Sequence, residues 1–182
     1  VDAINSPLNL VTSSKAMLIK INFPREALII AGIYEIGFNF LIRLALFAGI
    51  LILYKVTLPI SIFLAPIGII AIILLGLVIG IGLTPAGLLY QDIGRGLLII
   101  TSVWFYLTPV VYPTPTSFPA NLVARYNPIS PLIITTREWI TSGYVENLGP
   151  FITVSIASLG CLFMAWILYR IAMPHIIARM GS

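Results

Sequence analysis

The chain has 182 residues, of which 59% are hydrophobic and 9% charged, with a net charge of +4 and a mean hydropathy of +1.08. Soluble domains carry roughly 25% charged residues, so this composition excludes an ordinary water-soluble enzyme or binding module. The modest positive balance lies outside the apolar stretches, which points to cytoplasmic orientation and anionic lipid contact rather than nucleic acid.

No charged side chain occurs within residues 56–91, 96–124 or 147–169. A hydrocarbon core roughly 30 Å thick is crossed by about 20 apolar helical residues, so each stretch is long enough to span it. Runs such as residues 67–75 are apolar on every side instead of alternating, which reads as helix and not as barrel strand. The expected fold class is an all-α integral membrane protein with four transmembrane helices.

Residues 1–9 have neither the basic start nor the long apolar core of a cleavable signal, and the missing initiator methionine suggests that the chain begins inside a larger protein. Ser13 and Ser14 offer an N-cap to a short amphipathic helix over residues 15–20, which Pro24 ends. An apolar helix then builds up, carrying Glu35, Asn39 and Arg43 at successive i, i+4 positions on one face, with its membrane portion at residues 36–54. Residues 55–58 form a tight turn.

The stretch 59–90 would be roughly 48 Å long as one straight helix, so it must tilt, kink or project; its crossing portion is placed at 59–83. Pro66, Pro85 and several glycines give it places to bend, and Gly76 with Gly80 forms a GxxxG pair that lets another helix approach closely. Residues 91–96 read as a polar turn, and 97–112 as the next span. From 113 to 149 prolines break the pattern into two short helices, near 119–126 and 131–142, with Gly143 suited to a helix end. The second mixes apolar residues with Arg137 and Glu138, which suits an interfacial or re-entrant helix. The last span covers 150–169, with Cys161 in its middle as a small buried thiol and His175 beyond it as a tail residue.

Four segments, in order, look like the signature segments of a known family: Lys20-Ile21-Asn22-Phe23-Pro24-Arg25-Glu26, Tyr90-Gln91-Asp92-Ile93-Gly94-Arg95, Leu107-Thr108-Pro109-Val110-Val111-Tyr112-Pro113 and Tyr126-Asn127-Pro128-Ile129-Ser130-Pro131-Leu132. They resemble ABC-2 type transporter permeases, nearest the branch that exports polysaccharide, O-antigen or teichoic acid (polyol phosphate) polymers. The resemblance implies a six-helix permease of the bacterial cytoplasmic (inner) membrane. This chain would be its carboxy-terminal part, the end of the second span plus spans three to six. It further implies a homodimer with a second copy, an ABC ATPase subunit as partner, and a lipid-linked glycan as substrate among the membrane lipids. Residues 13–23 would be the coupling helix that docks on the ATPase through Lys15, Met17, Leu18, Lys20, Phe23 and Arg25, and 113–149 an outer gating segment. No phosphate-binding G-x-x-x-x-G-K-[ST] loop occurs, so no cofactor is expected in this chain, and ATP with its Mg²⁺ would belong to the partner subunit.

Candidate path or gate residues each have two readings. Arg43 lies at membrane depth, where an ionisable group costs about 2.5 to 3.5 kcal/mol on insertion scales; it either meets a lipid-linked phosphate or pairs structurally with a neighbouring helix. Trp104, Tyr106, Tyr112 and Tyr126 either stack on sugar faces or anchor the chain at the interface. Arg137 and Glu138 are a candidate gating ion pair. Small hydrophobic compounds are the alternative cargo. A membrane-embedded glycosyl- or acyltransferase is a further alternative, but the six acidic residues form no cluster and the single histidine allows no His-based metal site or triad. Lys15, Lys20, Arg25, Arg95, Arg170 and Arg179 collect on one side of the alternating spans, and Lys55, Arg125 and Arg137 on the other, so the first side is expected to be cytoplasmic. Accessibility labelling of intact cells should therefore find Lys20 and Arg95 on the same, inner side.

Overall fold

The computed structural model describes residues 1–20, 24–55, 59–110, 112, 118 and 120–180. Ile21, Asn22, Phe23, the Lys20 side chain, Val111 and Pro113, all named above, with residues 56–58 of the expected turn and most of 113–119, lie outside the described residues. The elements are α1 (Asp2–Ser13), α2 (Lys15–Lys20), α3 (Glu26–Leu53), a 3-10 turn (Ile60–Leu64), α4 (Ala65–Leu89), α5 (Gln91–Leu107), α6 (Ala120–Tyr126), α7 (Ile129–Thr141) and α8 (Gly149–Met180). No strand occurs among the described residues.

Three stretches, Glu26–Leu53, Ile60–Leu89 and Gly149–Met180, are long and apolar enough to cross a membrane. The segment expected as a fourth crossing, 97–112, falls for the most part in a helix of 17 residues, Gln91–Leu107, roughly 25 Å long. Both of its ends depart from expectation for local reasons. Residues 91–96 are helical and not a turn, with Asp92 in the first turn, where a carboxylate is favourable against the helix dipole. At the other end Pro109 biases Thr108 out of the α region, to φ −92 and ψ 135, and the helix stops at Leu107.

The central element is α4, and it is close-packed by glycine. A Cβ added at Gly76 would come within 2.7 Å of the Ala3 Cβ, and one at Gly80 within 2.6 Å of the Ile4 carbonyl and 2.9 Å of the Ala3 carbonyl. At Gly87 it would run into Leu8. The GxxxG pair thus receives α1, a helix not anticipated from residues 1–13, and Gly87 extends the contact by two turns. Pro7 sits inside α1 and has no N–H to offer the Ala3 carbonyl, one of the two that lie on Gly80. In hydrocarbon, where burial of apolar surface drives little association, this backbone approach and its dispersion contacts are what hold two helices together.

On its other side α4 packs along α8, where Leu77, Ile81 and Leu88 meet Ala165, Tyr169 and Met173 in one cluster. The Tyr169 hydroxyl donates to the Arg25 carbonyl at 3.1 Å, and Arg170 lies 3.9 Å from Glu26, fastening α8 to the start of α3. Toward the opposite end α7 is wedged against α4, α8 and the 3-10 turn. Gly68 abuts Thr136, the Ser61 hydroxyl donates to the Trp139 carbonyl at 2.7 Å, and the Trp139 and Phe151 rings meet edge-on at 5.1 Å. Leu132 and Trp139 are buried there, so α7 is a packed helix with little of the exposed amphipathic character expected of an interfacial one. Gly143 ends it with φ +77, as expected, while its N–H reaches back to the Glu138 carbonyl.

Two further expectations are corrected. Cys161 is exposed on α8, between the exposed Leu159 and Phe163, because the helix turns its other face to α4. His175 is no tail residue: α8 runs on through Pro174 to Met180, and the His175 Nδ1 lies 2.9 Å from the Ile171 carbonyl one turn back. Residues 41–50 of α3 are exposed throughout, an apolar surface interrupted only by Arg43 and of the kind that marks a lipid or protein contact.

The glycine seat predicts opposite outcomes for one substitution at two sites. Gly80→Ala forces backbone against backbone and should lower stability by about 1–3 kcal/mol. Gly160→Ala meets nothing within 4 Å and should be neutral or stabilising by up to about 1 kcal/mol. Unfolding of both variants in one detergent, followed by circular dichroism, measures the difference.

Candidate functional site

Where the start of α1 meets α3, α4, α5 and α7, the bundle forms a half-open, largely apolar cavity of about 350 Å³. Its walls are aliphatic, with Ile36, Ile72, Ile73 and Ile133 among them, and its polar groups are few: Asp2, Arg43, Thr101, Trp104 and Thr108. Arg43 and Asp2 form an ion pair at 2.9 Å, bridging α3 and α1. Their side chains are 69% and 45% exposed, and a pair so open contributes below about 1 kcal/mol. Of the two readings of Arg43, the pairing with a neighbouring helix is present.

The wall formed by α5 is fixed by two sets of hydrogen bonds. Thr101, Trp104 and Thr108 follow at intervals of three and four residues and so share one helix face. The Asn5 amide donates to the Thr101 hydroxyl at 3.3 Å, tying α5 to α1. Asn127, in the turn before α7, accepts from the Trp104 indole N–H at 3.1 Å and from the Ile129 backbone N–H at 3.1 Å, and donates to the Thr108 hydroxyl at 2.8 Å. One buried amide thereby joins the end of α5 to the start of α7. Asn5, Thr101, Thr108 and Asn127 were not singled out as site residues. The legible signal was their spacing and their polarity in apolar surroundings, with Asn127 already inside one of the signature segments.

Of the path or gate residues, Arg43 and Trp104 line the cavity, with Trp104 half-buried through its bond to Asn127. Tyr106, Tyr112 and Arg137 form a separate exposed chain: the Tyr112 hydroxyl donates to the Tyr106 carbonyl at 3.2 Å, and Arg137 donates to the Tyr112 carbonyl at 3.2 Å. Tyr126 is 79% exposed and stands apart from both groups. Arg137 and Glu138 are not an ion pair among the described residues, since consecutive helical positions diverge by about 100°. Glu138 instead contributes its backbone carbonyl to the end of α7.

The described coupling residues lie at the other end of the bundle. Leu18 is buried in the α4–α8 core and Met17 packs against that core, whereas Lys15 is half-buried. Arg25 precedes α3 and holds the Tyr169 hydroxyl through its carbonyl. Among the described residues no cluster of His, Cys, Asp and Glu could hold a metal ion. Comparison with protein-family models and with curated proteins finds no match for this sequence.

Removing the Asn127 side chain leaves the Trp104 N–H and the Ile129 N–H without their acceptor. Asn127→Ala should therefore destabilise by about 1–3 kcal/mol, whereas Tyr126→Ala next to it should change stability by less than about 0.5 kcal/mol. Thermal unfolding of the two variants side by side makes the comparison.

Proposed function

We propose that the chain is the permease part of an ATP-driven exporter that moves a lipid-linked polysaccharide or polyol phosphate polymer across the cytoplasmic membrane of a bacterium. On this reading it is multi-pass, with α5 as a fourth crossing, works as a homodimer and carries α2 on the cytoplasmic side. The ATPase is a separate subunit docked on α2, and its closure on ATP biases the permease between two states by differential affinity.

The observation that carries the proposal is the seat of α2. Leu18 is buried with Leu88, Met173 and Ile177, and Met17 lies against the same core, while Lys15 is half-buried. A short helix with a half-buried lysine and a buried apolar face is fixed to α8 on one side and adjoins α1, which is itself seated on α4. Force applied to α2 would pass into three helices at once. The ordered signature segments add support, because the first of them begins in α2.

The cavity gives the alternative cargo its own support. At about 350 Å³, with mostly aliphatic walls, it falls in the range of small-molecule sites of roughly 300–1,000 Å³, so export of small hydrophobic compounds is the second reading.

Co-expression of the whole permease with its candidate ATPase, reconstituted in liposomes, tests both. Lipid-linked glycan should raise ATP hydrolysis several-fold, and Lys15→Glu should abolish that stimulation while Asp92→Asn, at the start of α5, retains assembly. Stimulation by small hydrophobic compounds and not by glycan selects the second reading. Cleavage of an activated sugar by the permease alone would make it an enzyme.

A further inference from the structure

α5 is held at two points, with a free length between them. Its first half sits on α1 and α4: Leu97 is buried with Ile4 and Leu8 beside Ile79 and Leu83, and the Asn5 amide reaches the Thr101 hydroxyl at 3.3 Å. Residues 102–107 are exposed apart from the half-buried Trp104, and burial resumes past the helix end, at Thr108 and Pro109. There the second point of attachment is Asn127, bonded to the Trp104 indole at 3.1 Å and to the Thr108 hydroxyl at 2.8 Å. Since α7 packs on α4, α8 and the 3-10 turn, and α5 on α1 and α4, the two helices meet chiefly through that amide. An outer, exposed tie runs from Arg137 through Tyr112 to the Tyr106 carbonyl, in two bonds of 3.2 Å.

Between the two points the helix has a weak place. The Thr101 and Ser102 hydroxyls donate to the Leu97 and Leu98 carbonyls at 2.8 and 2.7 Å, and such back-bonding competes with the backbone ladder and bends helices. The helix also has two unlike faces. Thr101 and Trp104 line the cavity, whereas Ile99, Val103 and Tyr106 fall on the opposite side, apolar and exposed.

We infer that residues 102–107 are a hinged flap on the cavity, with the hinge at Thr101 and Ser102 and the latch at Asn127, and that apolar compounds dissolved in lipid enter the cavity beneath it. Opening carries Trp104 and Phe105 off the cavity wall. It leaves little unsatisfied: the Thr108 hydroxyl keeps its bond to the Trp104 carbonyl, at 2.8 Å, and the Asn127 amide stays behind to cap the Ile129 N–H. The route also suits its traffic. Elsewhere on the rim stand two exposed charged groups, Arg43 and Asp2, while the α5 wall carries no charge. The inference concerns entry to the cavity and stands whether or not what enters is transported.

The test is double electron–electron resonance on the whole protein in liposomes, on a Cys161→Ser background. Nitroxides at Leu107→Cys and Leu159→Cys report the flap; nitroxides at Leu98→Cys and Leu159→Cys report the seated half of α5. Trp104→Phe with Thr108→Val removes the latch from the α5 side and leaves Asn127 capping α7. The first distance distribution should broaden toward longer distances and the second should not; a change in both, or in neither, would overturn the hinge. A second reading keeps Cys161 as an exposed reference. Ile133→Cys, on the cavity wall, should react with N-ethylmaleimide several-fold faster once the latch is removed, while Cys161 keeps its rate, and an unchanged Ile133→Cys rate would overturn the entry route. Trp104→Phe alone, the milder change, should move both readings in the same direction, and serves where the double variant unfolds.

Discussion

The contact between α1 and α4 is the constraint on which the rest of the molecule depends. Gly76 and Gly80 admit the backbone of α1 so closely that two of its carbonyls rest where a side chain would otherwise begin. Side chains of ordinary size would push α1 outward and, with it, the face that holds α3 and the polar tie to α5. The approach matters more in this chain than in a soluble bundle. Where lipid is as apolar as the helix surface, association rests on fit and on hydrogen bonds, and the expulsion of water adds little.

The polar ties follow the same logic. Asn5 with Thr101, and Asn127 with Trp104 and Thr108, satisfy groups that have no water to turn to, and together they settle the orientation of α5. Such bonds contribute about 0.6 kcal/mol on average between helices in a membrane, so their value lies in specifying one arrangement rather than in raw stability. The two ends of the bundle are fastened differently. One is clasped by Tyr169 on the Arg25 carbonyl and by Arg170 beside Glu26, the other by the packing of Trp139 on Phe151 and of Gly143 on Pro59.

Much of this architecture was legible in the sequence because the governing signals are local. Charge-free runs located α4 and α8, an apolar run interrupted by Glu35 and Arg43 located α3, proline and glycine placed α6 and α7 within one or two residues, and GxxxG spacing marked a close helix contact. What escaped depends on tertiary context. Residues 91–96 look like a turn by composition, yet they are helical because Asp92 suits a helix start and the segment packs beside α1, with Gly94 close to Leu8. Cys161 sits mid-helix in an apolar run, and nothing in such a run says which face meets α4. The site was read less completely than the fold. Arg43 and Trp104 stood out as a charge and an indole in oily surroundings, but the amide of Asn127, which organises that wall, is inconspicuous until three elements converge on it.

The carbonyls of Ala3 and Ile4 set against Gly80 have a mechanical consequence. A shift of α1 along α4 would carry them off Gly80 toward the side chain of Leu77 or Thr84, its buried neighbours about one turn away on the same side of the helix, so gradual sliding is blocked. The next gap on that face is at Gly76, four residues or about 6 Å along the axis. The joint therefore behaves as a key in a slotted shaft: it holds firm against small loads and yields only in whole notches.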